Sequence, residues 1–187
     1  MDRKIWLTSD LHFCHNRGFL YEPRGFTNVY DMNEAIVKNW NERVGPEDTV
    51  YLLGDVMLND NETGLKLLKQ LKGYIIIVLG NHDTDVREAL YRECWNVCDV
   101  VPAARLKYKG YHFFMTHYPC FTANLEKESL KQCTCNLYGH THQKTNFFQD
   151  IPFMYHVGVD SHNCAPVLLD DIIEEMEAKV LECKNQL

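Results

Sequence analysis

The chain contains no run approaching eighteen consecutive apolar residues, so no segment is expected to cross a membrane as a helix. It also lacks an apolar leader with a small-residue cleavage site. The opening MDRKIWLTSD passes from charge into a strand-like segment within four residues, and a cytoplasmic location is expected. Positive charge is scarce: 19 Lys and Arg stand against 26 Asp and Glu, a formal net charge of −7. That balance excludes a general nucleic-acid coat but leaves room for a local positive site, such as one made by metal ions. Repeats, low-complexity tracts and linkers are missing, and 187 residues suit one domain, residues 1–187, with a core that needs no staples. Cysteine is plentiful, but the eight are scattered, and neither Cys94/Cys98 nor Cys133/Cys135 has the C-x-x-C spacing of a thiolate zinc site. Reduced thiols are the expectation.

What the chain does contain is organised around Tyr74–Asp83, YIIIVLGNHD. A short unbroken apolar run ending on glycine reads as a strand buried on both faces. Its tip sets Asn81, His82 and Asp83 at the carboxyl end of that strand, where open α/β sheets hold their ligands.

Four other strand-like segments end in the same way. Lys4–Ser9 ends at Asp10-Leu11-His12, Thr49–Leu53 at Gly54-Asp55, Tyr111–Met115 at Thr116-His117, and Cys135–Tyr138 at Gly139-His140-Thr141-His142. Between them, Asp31 and Glu34 resemble a capping box opening a helix through about Arg43, which Gly45-Pro46 stops. Helices are also predicted over Asn61–Leu71, Asp85–Glu93, Leu125–Gln132 and Asp170–Cys183. Further strands are predicted at Val97–Val101, Leu106–Tyr108, Thr145–Phe148 and Phe153–Val157. Alternating strands and helices give an α/β fold.

Residues i and i+2 of a strand point the same way, so Asp10 with His12, and His140 with His142, are each expected to aim at one point. Five of the nine histidines fall within these short motifs. Two carboxylates, an amide oxygen and several imidazoles suit Mn, Fe, Co, Ni or Zn rather than calcium, which takes oxygen throughout. The set is too large for one tetrahedral ion and about right for two, roughly 3.5–4 Å apart.

The five motifs, in this order, resemble the calcineurin-like metallophosphoesterase superfamily over roughly residues 5 to 160, and the size is similar to its compact bacterial and phage members. The resemblance implies a four-layer αββα sandwich with two divalent ions at the strand ends, manganese first, with Fe, Zn, Ni or Co as alternatives. It implies that Asp10, His12 and His142 hold one ion, that Asn81, His117 and His140 hold the other, and that Asp55 bridges them. His82 becomes the non-ligand histidine that protonates the leaving oxygen or stabilises the transition state. The implied activity is hydrolysis of a phosphodiester, in a small nucleotide or nucleic-acid end, by a metal-bridging hydroxide. A nucleotide phosphomonoesterase, a pyrophosphohydrolase and a non-catalytic scaffold of the same fold are the alternatives.

One departure matters. Phosphoprotein phosphatases of this superfamily carry an aspartate three residues after G-D and then an arginine, where this chain has Leu58 and no arginine. The partner that orients His82 is then Asp83 or Asp60, and the catalytic set reads His82, Asp55 and Asp83. His15 and Arg24, with Asn81, are the candidate substrate contacts. His162 and Asn163 could approach the metals, His112 and His156 read as structural, and Cys14 and Cys120 lie beside motif residues where oxidation would be felt.

Overall fold

A computed structural model describes residues 3–122 and 129–185. The first half runs β1 (Ile5–Thr8), α1 (Gly18–Tyr21), α2 (Val29–Arg43), β2 (Thr49–Leu52), α3 (Asn61–Leu68), β3 (Tyr74–Val78), α4 (Asp85–Arg92) and β4 (Val97–Val101). The second half runs β5 (Ala104–Tyr108), β6 (Tyr111–Met115), β7 (Thr134–Tyr138), β8 (Met154–His156), β9 (Val167–Leu168) and α5 (Leu169–Asn185). No helix among the described residues is long and apolar enough to cross a membrane.

Strands β1 to β4 are parallel and lie side by side in chain order, with β9 antiparallel on the far side of β1. Parallel neighbours need crossovers, and crossovers of one hand that always advance in one direction put their helices on one face. Accordingly Met32, Ile36 and Trp40 of α2, Leu68 of α3 and Tyr91 of α4 share a cluster with Trp6, Val50, Leu52, Ile75 and Ile77. The opposite face is left free for a second sheet, ordered β5-β6-β7-β8. Leu7, Leu53 and Val78 meet Tyr111, Phe113, Met115, Cys135 and Leu137 there, and α5 adds Leu169, Ile172, Ile173 and Met176 to the same cluster. Trp6 and Leu7, adjacent in β1, therefore serve two different cores, which is why the strand reads as continuously apolar. The result is an α/β sandwich of two facing sheets, with α2, α3 and α4 outside the first sheet and α5 packed against the core that the two sheets share.

Several expectations need correction. Helix α2 begins three residues earlier than the supposed capping box. Asn28 is its N-cap, accepting from the backbone N–H of Asp31 and donating to that carboxylate, so Asp31 occupies the third helical position. The stretch Thr145–Phe148 is not a strand. The Gln143 side chain donates to the carbonyls of Thr145 and Phe147, removing them from any ladder, and only Phe147 bridges Tyr155. Half of the expected helix over 125–132 lies outside the described residues, and the other half holds the short 3-10 turn Leu130–Gln132. Strand β9 was too short, at two residues, to leave a pattern. His112 is exposed, whereas His156 is fully buried.

The cap reassignment can be measured. Asn28→Ala should lower the unfolding free energy by about 1 kcal/mol in a urea titration, while Glu34→Ala should change it by less than about 0.5 kcal/mol. The reverse order would restore the capping box to Asp31 and Glu34.

Candidate metal centre

All five motifs emerge from carboxyl ends of strands, and β1, β2 and β3 are parallel, so Asp10, Asp55 and Asn81 leave the same edge of the first sheet. The residues do not converge through the strand pleat, however. Strand β1 ends at Thr8 and β7 at Tyr138, before either motif begins. Beyond those ends Asp10, His12, Asp55, His140 and His142 are all left-handed, with φ of 59°, 49°, 54°, 68° and 49°. The first two loops stay zipped together, Asp10 N–H bonding Gly54 O at 3.0 Å and His12 N–H bonding Asp55 O at 2.9 Å. Each such non-glycine residue costs on the order of 1 kcal/mol, a strain found mainly where surrounding structure enforces it at functional sites. Asp, Asn and His are also the side chains that tolerate this region best.

Two glycines permit the close approach. A Cβ on Gly139 would lie 2.6 Å from Asp10 Oδ2, and one on Gly80 would lie 2.7 Å from the Asp55 backbone nitrogen. Without them the ends of β7 and β3 could not close on the two carboxylates.

The donors form two overlapping groups, Asp10 with His12 and His142, and Asp10 with Asp55 and His117. Asp55 Oδ2 stands 3.5 Å from both His12 Nε2 and His117 Nε2, and 3.9 Å from His82 Nε2. His12 Nε2 and His142 Nε2 are 3.2 Å apart. Asn81 Oδ1 is 2.9 Å from His117 Nε2. The His140 ring packs against those of His117 and Tyr118, at 5.0 and 4.7 Å, while its backbone N–H bonds Asp10 Oδ2 at 2.9 Å. The sequence-predicted ligands are thus brought together. A cavity of about 410 Å³ opens beside them, lined by His12, His15, Phe19, His82, His142 and Lys144 among others.

The donor chemistry fits a metal. His117 Nδ1 lies 2.8 Å from Leu53 O, so that nitrogen must carry the proton. In a neutral ring this aims the bare Nε2 lone pair at the carbonyl oxygen of Asn81 and at Asp55, a clash of acceptors that a cation between them resolves. His142 repeats the pattern, with Nδ1 2.8 Å from Asp160 Oδ2 and Nε2 facing His12. Burial, assisted by the His142 ring, pushes the His12 pKa well down, and burial also lowers His140 and His15. His12 and His140 are therefore held in the neutral form that ligates. For His142 burial pulls down, but the hydrogen bond to Asp160 and the Asp10 charge outweigh it and the net shift is upward. Burial raises Asp55, against the pull of His117 and the His82 N–H.

The expected substrate contacts separate. His15 lines the cavity, its ring edge-on to His12 at 5.5 Å. Arg24 does not reach outward: its side chain is completely buried and every N–H is engaged. Nε and Nη2 bind Asp160 at 2.9 Å each, Nη2 also bonds Asp10 O at 2.9 Å, and Nη1 reaches Leu11 O and Met32 Sδ. It is a brace beneath the site, gripping the backbone of one ligand and the partner of another.

Asp83 is likewise a brace. Its carboxylate accepts from the backbone N–H groups of Asp55, Val56 and Gly80 and from Tyr91 Oη, so it ties the second motif to the third. Asp60, the other partner considered for His82, instead caps α3 through Thr63. The His82 ring faces Asp55 and, at 5.4 Å, the ring of His12. His162 turns away to His156 O and stacks on Tyr155, and burial raises the Cys14 thiol, away from the reactive range.

Asp160 was missed by the sequence reading. It lies at the end of the VGVD stretch, two residues before the histidine that drew attention, and only its partners, up to 136 residues away, reveal its place.

Because both partners are buried, removing one leaves an uncompensated charge. Arg24→Ala should cost about 3–5 kcal/mol of stability, and the Arg24→Ala/Asp160→Ala pair less than the sum of the two singles. Additive losses in a denaturant double-mutant cycle would show that the two act separately.

The comparisons with known proteins bear on the family and the fold. The family model described as the calcineurin-like phosphoesterase superfamily domain matches residues 4–158. An uncharacterized protein of Methanocaldococcus jannaschii is 34% identical, over 99% of this chain and 98% of that protein. The gene 66 protein of Mycobacterium phage D29 is 31% identical, over 92% of this chain and 94% of that one. Among solved structures, a protein of unknown function from Aquifex aeolicus matches with a TM-score of 0.70 at 23% identity, covering 92% of this chain and 99% of its own, a likeness of fold. With the match running through every strand-end motif, the chain belongs to the calcineurin-like phosphoesterase superfamily.

Proposed function

We propose that the chain is a dinuclear metal-dependent phosphodiesterase of the cytoplasm, acting on a small nucleotide or a nucleic-acid end. Its superfamily supports the broader class, a phosphoric ester hydrolase with metal-binding Asp/His clusters. The observation that carries the finer reading is the overlap of the two donor groups at Asp10, with Asp55 3.5 Å from a histidine of each. Asp10, His12 and His142 would hold one cation, and Asp55, Asn81, His117 and His140 the other, with Asp55 between them. When bound, such cations supply Lewis-acid stabilisation of phosphoryl oxygens and a water acidified from 15.7 to about 7. Manganese is the first choice among Mn, Fe, Co, Ni and Zn.

The chain's own residues do the rest. His82 is anchored by its backbone, whose N–H bonds Asp55 Oδ1 at 2.9 Å, while its side chain stays 40% exposed at the cavity. A ring fixed at its base and open at its tip suits delivery of a proton to the leaving oxygen. Asp83 positions Asp55 rather than His82. His15 and Asn81 are left to face substrate, and Arg24 acts through Asp10 and His142. Among the described residues the cavity lining holds no guanidinium, and its one Lys or Arg is Lys144, which favours a singly charged diester over a dianionic monoester or a phosphoprotein.

Hydrolysis of bis-p-nitrophenyl phosphate and p-nitrophenyl phosphate, after chelation and re-addition of Mn²⁺, Ni²⁺, Zn²⁺ or Mg²⁺, tests the reading. Metal-restored turnover favouring the diester is expected. A monoester preference would redirect it to a phosphomonoesterase, and silence of a folded, metal-loaded protein would sink it. In the active protein, His82→Ala should lower kcat by about 10²–10⁴-fold with little change in Tm. Unchanged kcat would remove His82 from the chemistry.

A further inference from the structure

The cavity beside the metal centre has two unlike parts. One consists of His12, His82, His142 and Asp160, which belong to the phosphoryl site; the other of Phe19, Leu20, Pro23, His15 and Lys144. Phe19 is 74% exposed, yet its ring is held edge-on against His15 at 5.5 Å and 85°. The segment beneath it is fixed, with Leu20 buried and Arg24 locked under Asp10. Lys144 Nζ bonds Pro23 O at 2.9 Å and closes the same wall. An aromatic ring is thus presented open, on a fixed segment, in the same cavity as His12, His82 and His142.

We propose that Phe19, backed by Leu20, Pro23 and Lys144, is a stacking subsite for the nucleobase of the substrate. The assignment rests on the phosphodiesterase reading and gives it a substrate class. Bases stack on aromatic faces whatever their sequence, because each has a π-face. An alkyl group would be a poorer occupant, since it would cover His15, His82, Lys144 and Asp160 without bonding any of them. A sugar and a heterocycle bring polar edges that such a wall can satisfy. A polypeptide is also a poor match for a pocket of about 410 Å³, which lies in the range of small-molecule sites.

The test is calorimetric binding to the Mn²⁺-loaded protein of AMP, ribose 5-phosphate and inorganic phosphate, without turnover. AMP should bind more tightly than ribose 5-phosphate, which shares its phosphate and sugar but has no base. Phe19→Ala should weaken AMP by about five-fold or more and ribose 5-phosphate by less than about two-fold, and Phe19→Trp should restore the difference. Equal affinity of the two ligands in the native protein overturns the subsite, as does an equal loss of both in Phe19→Ala. So does a selective loss of AMP on Tyr118→Ala, the exposed ring over His140, with Phe19→Ala unaffected. Intact diester hydrolysis without an AMP preference fails the subsite alone. A Phe19-dependent AMP preference without hydrolysis fails the proposed activity alone, and failure of all three ligands to bind overturns both.

Discussion

Two carboxylates, Asp10 and Asp55, are buried to 0% and 2% exposure, and among the described residues neither has a Lys or Arg within salt-bridge reach. Like charges placed together in a low dielectric repel and lose their hydration, so this pair cannot stand without compensation. The chain supplies part of it. The N–H of His140 and the hydroxyl of Ser9 donate to Asp10, and that of His82 donates to Asp55. Two of the surrounding imidazoles, His12 and His140, are held neutral by burial and give no full counter-charge. Much of the architecture serves to hold this unfavourable pair in place and leave it incomplete.

Two sheets were needed for that purpose. One parallel sheet can aim several strand ends at one edge, but its loops would all stand in a row. The second sheet faces the first, so His117 and His140, following β6 and β7, close over Asp10 and Asp55 from the other side. Helices on the outer face of the first sheet keep the inner face apolar and free for this pairing. The braces then fix the loops to one another: Asp83 joins the second and third motifs, and Arg24 with Asp160 joins the first, the last and the loop between Phe13 and Tyr30.

The donors and their order were legible because each sits just beyond an apolar run, a local signal carried by a few consecutive residues. The strands that precede these donors were legible for the same reason, whereas β9, at two residues, was not. The way the donors converge was not, because a left-handed residue leaves no trace in periodicity, and Asp10-Leu11-His12 reads equally well as pleated strand. The α2 cap slipped by one turn because Asp31 resembles a cap as much as Asn28 does, and only the backbone shows which one precedes the helix. Arg24 and Asp160 were least accessible. An arginine in a polar loop looks like a solvated or substrate-binding group until its partner, 136 residues away, is in view. Burial of a charge is a property of the folded chain, and no local pattern announces it.

The five left-handed positions also bear on how such a chain could decay. Glycine is the residue that most readily relieves a positive φ, so at Asp10, His12, Asp55, His140 and His142 the change that eases the backbone is also one that deletes a donor. Selection for chemistry and selection for stability therefore pull in opposite directions at the same five places. A descendant released from catalysis would be expected to drift toward glycine there while keeping both cores. The reverse pattern, with all five side chains retained at the expense of backbone comfort, is the mark of a centre still held in place by what it does.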